Sequence, residues 1–199
     1  WGGWWVEHQG AGDQWYDKFY ASKDDYIHMQ KGKLFIVEFG EMQGCAVADN
    51  HVAMVAEILA KGGKSYDLED HKVIVEATSA YLDRWGFRKA FPTTEALFLS
   101  VGRKAYEAWR NYLENIRLGE TVDVAAISGW ESTAIENHSG IVDALRGFKA
   151  DPVLMSQSLR PVLAVAKPRK LAYAPGEAAE LDLWLFNDTG RPVVGDLVL

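Results

Sequence analysis

"KLFIVEFGEM", Lys33 to Met42, decides how this chain is read. Leu34, Phe35, Ile36, Val37 and Phe39 surround one carboxylate, Glu38, and then Gly40 and a second acid, Glu41, follow. A short continuous apolar run after Gly32 predicts a strand over 33–39, buried on both faces. Period two puts Glu38 on the face of Ile36 and Leu34. Gly40 is expected to let the backbone leave the strand, so that Glu41 falls in the following loop. An acid at the mouth of a buried strand is rigidly held and partly desolvated, which suits proton transfer or nucleophilic attack. It equally suits a carboxylate that caps a helix or pairs with an arginine, and the pattern leaves both open.

The neighbouring segments supply a context. Trp15, Phe19, Tyr26 and Met29 recur at helical spacing and predict a helix over 13–30. Asp49 or Asn50 can cap a helix over 51–61, stopped by Gly62 and Gly63. A further helix is predicted over 68–85. Thr93 or Thr94 opens another, which runs to about 118 before Gly119 and carries Glu95 and Glu107 as exposed acids. "TVDVAAISGWEST" then repeats the first layout: an apolar run over 122–127, small residues Ser128 and Gly129, and Trp130-Glu131. Strands that alternate with helices imply parallel pairing, an α/β fold and ligands at the strands' C-terminal ends. Near Asp151-Pro152 the period changes to two. Short strands are predicted over 162–166, 171–173, 179–187 and 193–198, as at the start of a β-sandwich.

Composition excludes several classes. The 199 residues are 48% hydrophobic and 25% charged, ordinary for a globular protein. A net charge of −7 argues against nucleic acid, which needs a positive field. No apolar run approaches the roughly 20 residues of a membrane span. Cys45 is the single cysteine, so no intrachain disulfide is expected. It lies just past the strand, where a packed thiol is the simpler reading than a nucleophile. His8, His28, His51, His71 and His138 show no metal-ligand spacing, and no metal or cofactor is expected. "SGWES" is not a nucleophile elbow, because Trp130 stands where the serine would be. "ENHSGIVD", Glu136 to Asp143, reads as a helix N-terminus capped by Asn137, Ser139 or Gly140, or as a row of sugar-hydroxyl ligands. Eight tryptophans, with Trp1, Trp4, Trp5 and Trp15 in the first fifteen positions, suit either core packing or the wall of a sugar site.

Together these motifs carry a resemblance. "FIVEFGE" resembles the seventh barrel strand of glycoside hydrolase family 2, the β-galactosidase, β-glucuronidase and β-mannosidase group. There an apolar strand ends in Glu-Tyr/Phe-Gly and the Glu is the nucleophile. "AAISGWEST" resembles the eighth strand, which ends in a tryptophan at the floor of the sugar site. "WGGWW" resembles the Tyr-Gly-Trp-Tyr segment at the end of the sixth strand. Gly3 and Trp4 match it, and Trp1 and Trp5 stand where tyrosines are usual. The order of the three motifs agrees with the family.

The resemblance implies the C-terminal portion of a (β/α)8 TIM barrel over 1–150 with a helical insert. A linker over 151–160 and the start of an Ig-like β-sandwich over 161–199 would follow. A barrel needs roughly 200–250 residues or more, so the remaining domains of the same enzyme are expected elsewhere. It further implies a retaining glycosidase acting on an oligosaccharide, polysaccharide or glycoside. Glu38 would be the nucleophile, and an acid/base residue would come from outside this segment. Trp4, Trp5 and Trp130 would form apolar walls, with Glu7, His8, Glu131, Asn137 and His138 as hydroxyl ligands. An endo-acting mannanase- or cellulase-like relative, or a non-catalytic carbohydrate-binding protein, are the alternative readings.

Overall fold

The computed structural model describes residues 4–8, 36–42, 48–119, 123–127, 129–133, 135, 140–170 and 172–196. The helix expected over 13–30, Cys45, Asn137 and His138 lie outside the described residues. Two compact units emerge, both discontinuous in sequence. One comprises Trp1–Gly44, Ala108–Ile127 and Met155–Leu199, and the other Cys45–Glu107 and Ser128–Leu154.

The first unit contains a parallel three-stranded sheet in the order β1 (Trp4–His8), β2 (Ile36–Met42), β3 (Val124–Ile127). The expected strand over 33–39 is described over Ile36–Met42, with 33–35 outside the described residues. Trp4 pairs with Ile36, Val6 with Glu38 and Glu7 with Phe39, and then His8 pairs with Glu41. The register passes over Gly40 between these last two pairs. Gly40 is therefore absorbed as an irregularity inside the strand, and Glu41 belongs to β2 rather than to the following loop. A residue without a side chain takes such an extra ladder position at little steric cost.

The same unit holds an antiparallel pair, β4 (Val162–Pro168) and β5 (Leu181–Asn187), with Val162 opposite Asn187 and Pro168 opposite Leu181. The long helix α3 (Thr94–Gly119) contributes its second half here. Trp109, Tyr112, Leu113 and Ile116 recur at helical spacing and are buried. Leu118 packs against Trp184 and Phe186 of β5, and the Arg117 guanidinium lies 4.6 Å from the Phe186 ring centre. Asp182, Trp184 and Phe186 form the half-buried face of β5, while Leu181, Leu183 and Leu185 are exposed. β5 is thus covered on one face in the described structure. Residues 172–173 and 193–196, the described parts of the strands expected over 171–173 and 193–198, have no ladder partner in the described structure.

Residues 151–160, expected as a linker, carry a short helix α4 (Val153–Ser156) and a 3-10 turn (Gln157–Leu159). Asp151 starts the helix by accepting the Val153 N–H at 2.9 Å, and Met155 and Ser158 are buried.

Lys167 of β4 reaches into this unit's interior. Its Nζ donates to Asn111 Oδ1 at 2.6 Å and to Glu114 Oε2 at 2.8 Å. Burial pulls the ammonium below the usual lysine range, and the Glu114 carboxylate opposes that shift. A buried charge that loses its partner is costly, whereas replacing both charges by apolar groups is far less so. Glu114→Ala should therefore lower unfolding stability by about 3 kcal/mol. The double substitution Lys167→Met, Glu114→Leu should cost less than Glu114→Ala alone. Urea titrations of both variants check this, and equal losses would show that the pair is not coupled.

Candidate functional site

Glu38 occupies the middle strand of the parallel sheet. Its backbone lies opposite Val6 of β1 and Val124 of β3. Trp4, Trp5, Glu7 and His8 line up along β1 against Ile36, Val37, Phe39 and Glu41. The sheet therefore brings the aromatic N-terminal segment alongside the strand that carries Glu38. Parallel strands present their C-terminal ends together, the ends at which α/β folds gather ligands.

Trp130 and Glu131 are described in the other unit. Trp130 is 60% exposed, and Glu131 forms an exposed ion pair with Arg146 at 3.2 Å. Their backbone is fixed from one side: the Val142 N–H donates to Trp130 O and the Ser132 N–H to Val142 O, each at 3.0 Å. Ser132 points the other way, into the protein. Its hydroxyl meets both carboxylate oxygens of Asp49 at 2.9 Å, and Asp49 pairs with Lys149 Nζ at 2.7 Å. Asp49 is 0% exposed. An interior pair of this kind holds only if each charge finds its partner and further hydrogen bonds. Trp130 and Glu131 thus stand on an anchored segment with their side chains turned outward.

Two close approaches complete the anchor. A Cβ on Gly102 of α3 would meet Lys149 O at 2.2 Å, and one on Gly140 would meet Ser132 N at 2.3 Å. Gly140 also has φ +89°, a region that disfavours side chains. Tyr106 OH donates to Ile141 O and accepts the Lys149 N–H at 3.2 Å. Burial pushes the phenol up to about 12.

"IVDALRGF", expected as a helix after a capped start, forms a tight turn instead. Val142 bridges Glu131 on one side and Phe148 on the other. Asp143 Oδ1 accepts the N–H groups of Leu145 at 2.9 Å and Gly147 at 2.8 Å, and Arg146 takes φ 67°. A short acid that bonds its own backbone competes with the helix and wins here.

The helices of this unit match the expected spacing and add a second polar cluster. Asn50, rather than Asp49, caps α1 (His51–Ala60), accepting the Ala53 N–H at 3.2 Å. Asn50 also donates to Glu95 at 2.9 Å. Thr93 caps α3 through the Ala96 N–H at 3.0 Å. Glu95 and Glu107, expected to be exposed, are half-buried, and Glu107 pairs with Arg103. At the start of α2 (Leu68–Arg84), His71 Nε2 lies 3.2 Å from Asp67 Oδ2, and its Nδ1 lies 2.8 Å from His51 Nδ1. Two facing ring nitrogens at that distance share a single proton. Asp67 also accepts the Ser65 hydroxyl. Although burial works against it, the Ser65 hydrogen bond, the backbone and His71 together hold this carboxyl below the usual aspartate range.

Among the described residues no group of three or more His, Cys, Asp or Glu side chains is arranged to hold a metal, and no helix is long and apolar enough to cross a membrane. An open cavity of about 420 Å³ is lined by Leu99, Arg103, Ala150, Asp151 and Leu154, none of them an expected site residue. No family model, curated protein or solved structure matches the chain. The sequence marks Asp49 only as a candidate helix cap and does not mark its partners Ser132 and Lys149, because nothing local marks partners so far apart in the chain.

Burial holds the Asp143 carboxyl above the usual aspartate range, and the nearby negative charge of Asp49 adds to this. A raised folded-state pKa means that the folded protein binds the extra proton more tightly. Stability is then lost as pH rises through that window. Asn can still accept both backbone N–H groups at its single oxygen. Asp143→Asn should therefore keep the turn and gain on the wild type in melting temperature between pH 4 and 7, whereas Asp143→Ala should lose stability throughout. Parallel thermal scans across pH test this, and a wild type that gains on Asp143→Asn with rising pH would refute the assignment.

Proposed function

We propose that the chain is part of a retaining glycoside hydrolase with Glu38 as its nucleophile. The observation that carries this reading is the parallel sheet in which "WWVEH", "IVEFGEM" and "VAAI" are neighbours in that order. The family that the motifs resemble strings its sixth, seventh and eighth strands in the same order. Proteins with parallel strands use the C-terminal strand ends for chemistry; Glu41 lies toward that end of β2, and Glu38 is the strand's third residue.

The chemistry follows from one carboxylate here and one from outside residues 1–199. A Glu38 oxygen attacks the anomeric carbon while the bond to the leaving oxygen breaks. The partner acid gives its proton to that oxygen. The resulting ester is then cleaved by water, which the same partner, now a base, deprotonates. The two carboxyl groups should stand about 5–5.5 Å apart, the spacing of retaining enzymes. Trp130, exposed on its anchored segment, offers a flat apolar face to the C–H side of a pyranose ring. Trp4 and Trp5 of β1 are the further apolar walls of this reading, and Glu7, His8, Glu131, Asn137 and His138 are its hydroxyl ligands.

Glu38 is preferred to Glu41 because Gly40 interrupts the ladder between them. A nucleophile needs fixed aim, and regular pairing on both sides supplies it. Glu38 is paired with both neighbours, whereas Glu41 has β1 alone as its register partner. In the enzyme that carries this chain, Glu38→Gln should lower kcat by at least 10³-fold without changing the fold, because an amide cannot form the ester. Glu41→Gln should retain substantial turnover. Full activity in Glu38→Gln would end the proposal.

Trp130→Ala should weaken competitive-inhibitor binding roughly tenfold while leaving the melting temperature nearly unchanged, since the indole is outside the core. A fall in stability with unchanged inhibitor affinity would assign Trp130 to packing instead.

A further inference from the structure

Asn187-Asp188-Thr189 closes β5, and the glycosidase reading makes no use of it. Asn-X-Thr with X other than proline is the acceptor pattern for N-linked glycans. The pattern alone is common. Here it coincides with an exposed turn whose hydrogen bonds are compatible with the modified residue.

Asn187, Asp188, Thr189 and Gly190 are all exposed, and Gly190 turns the chain with φ 68°. Asn187 Oδ1 accepts the Thr189 N–H at 3.2 Å and the Thr189 hydroxyl at 2.6 Å. Asn187 Nδ2 donates to Arg191 O at 2.7 Å. The amide nitrogen carries two hydrogens, and this bond uses one. A glycan replaces the other. Every hydrogen bond of the side chain can therefore survive attachment: Oδ1 still accepts from Thr189, and the remaining N–H still reaches Arg191. The middle residue is turned away from the acceptor. Asp188 donates its N–H to Pro161 O at 2.8 Å, and its carboxylate accepts from the Arg117 guanidinium at 2.7 Å. The Asp188 contacts thus anchor the turn and leave the Asn187 amide on the open side.

We propose that Asn187 is an acceptor for an N-linked oligosaccharide, delivered by a lipid-pyrophosphate-linked donor. In the transfer, Nδ2 bonds to the anomeric carbon of the donor sugar. The C–O bond to pyrophosphate breaks, and the lipid pyrophosphate leaves with the electron pair. The Nδ2 proton passes to a base of the transferase. A hydroxyl donating to Oδ1, as that of Thr189 does, stabilises the charge that builds on the amide oxygen as this proton leaves. The attached glycan would also stand at the end of the β4–β5 pair and hinder edge-to-edge association there.

The test directs the 199-residue chain, behind a cleavable leader, into the secretory route of a glycosylating eukaryotic host. Total chain from cells and medium is mapped by mass spectrometry before and after enzymatic glycan release in heavy-oxygen water, which marks each released asparagine. Modification at position 187 is expected in the wild type. Occupancy should fall at least tenfold in Asn187→Gln and in Thr189→Ala and persist in Thr189→Ser, where the hydroxyl remains. Asn137-His138-Ser139 is a second acceptor pattern in the same chain and serves as an internal comparison. An unmodified Asn187 in chains filled at Asn137 or at an appended reference acceptor overturns the proposal. So does modification that persists at position 187 in Thr189→Ala.

Discussion

A lysine and an aspartate buried together hold the unit that carries Trp130. Asp49 sits just before α1, and Lys149 lies far along the chain beyond the turn at Asp143. Their ion pair closes the distance, and Ser132 joins it by donating to both carboxylate oxygens. Around this contact α3 approaches so closely that Gly102 has no room for a side chain against the Lys149 carbonyl. Tyr106 bonds the backbone on both sides of the turn. A charge pair without solvent is an exacting fastener, because removing either member leaves the other stranded. The segment at 129–133 inherits that rigidity, which is what the proposed stacking of Trp130 on a ligand requires.

The other unit solves a different problem. Three short parallel strands put the segments that carry Glu38 and the N-terminal tryptophans side by side, and Gly40 accommodates one extra residue without ending β2. Such an insertion tends to sit where a strand must re-aim a side chain. The antiparallel pair β4–β5 is fastened to α3 by Lys167 with Glu114 and by Arg117 with both Asp188 and the Phe186 ring. Its leucine face remains exposed, while its aromatic face is the covered one.

Local rules made much of this readable. The helices at 51–60, 68–84 and 94–119 were marked by caps, stop glycines and apolar spacing, and each forms within a residue or two of its expected bounds. Period two marked β4 and β5. The failures have specific causes. Asp143 bonds its own turn, which no periodicity reports, so a helix was expected where none forms. The apolar residues near 172 and 194 alternate as a strand would, but alternation cannot supply a ladder partner. The His51–His71 contact and the Asp49–Lys149 pair depend on how distant segments meet, and only the tertiary structure discloses them. Glu38, expected at the mouth of its strand, is instead the third of the seven residues of β2, and its chemistry rests on the motif resemblance.

The central claim is that Glu38 forms a covalent glycosyl ester, and trapping that ester is its most direct test. A 2-fluoro glycoside with a good leaving group, matched to the enzyme's specificity, slows the second step more than the first and leaves the sugar attached. Peptide mapping of the inactivated enzyme should find the added sugar mass on the peptide containing "IVEFGEM", with fragmentation assigning it to Glu38. A label on Glu41 or Glu131 would contradict the assignment.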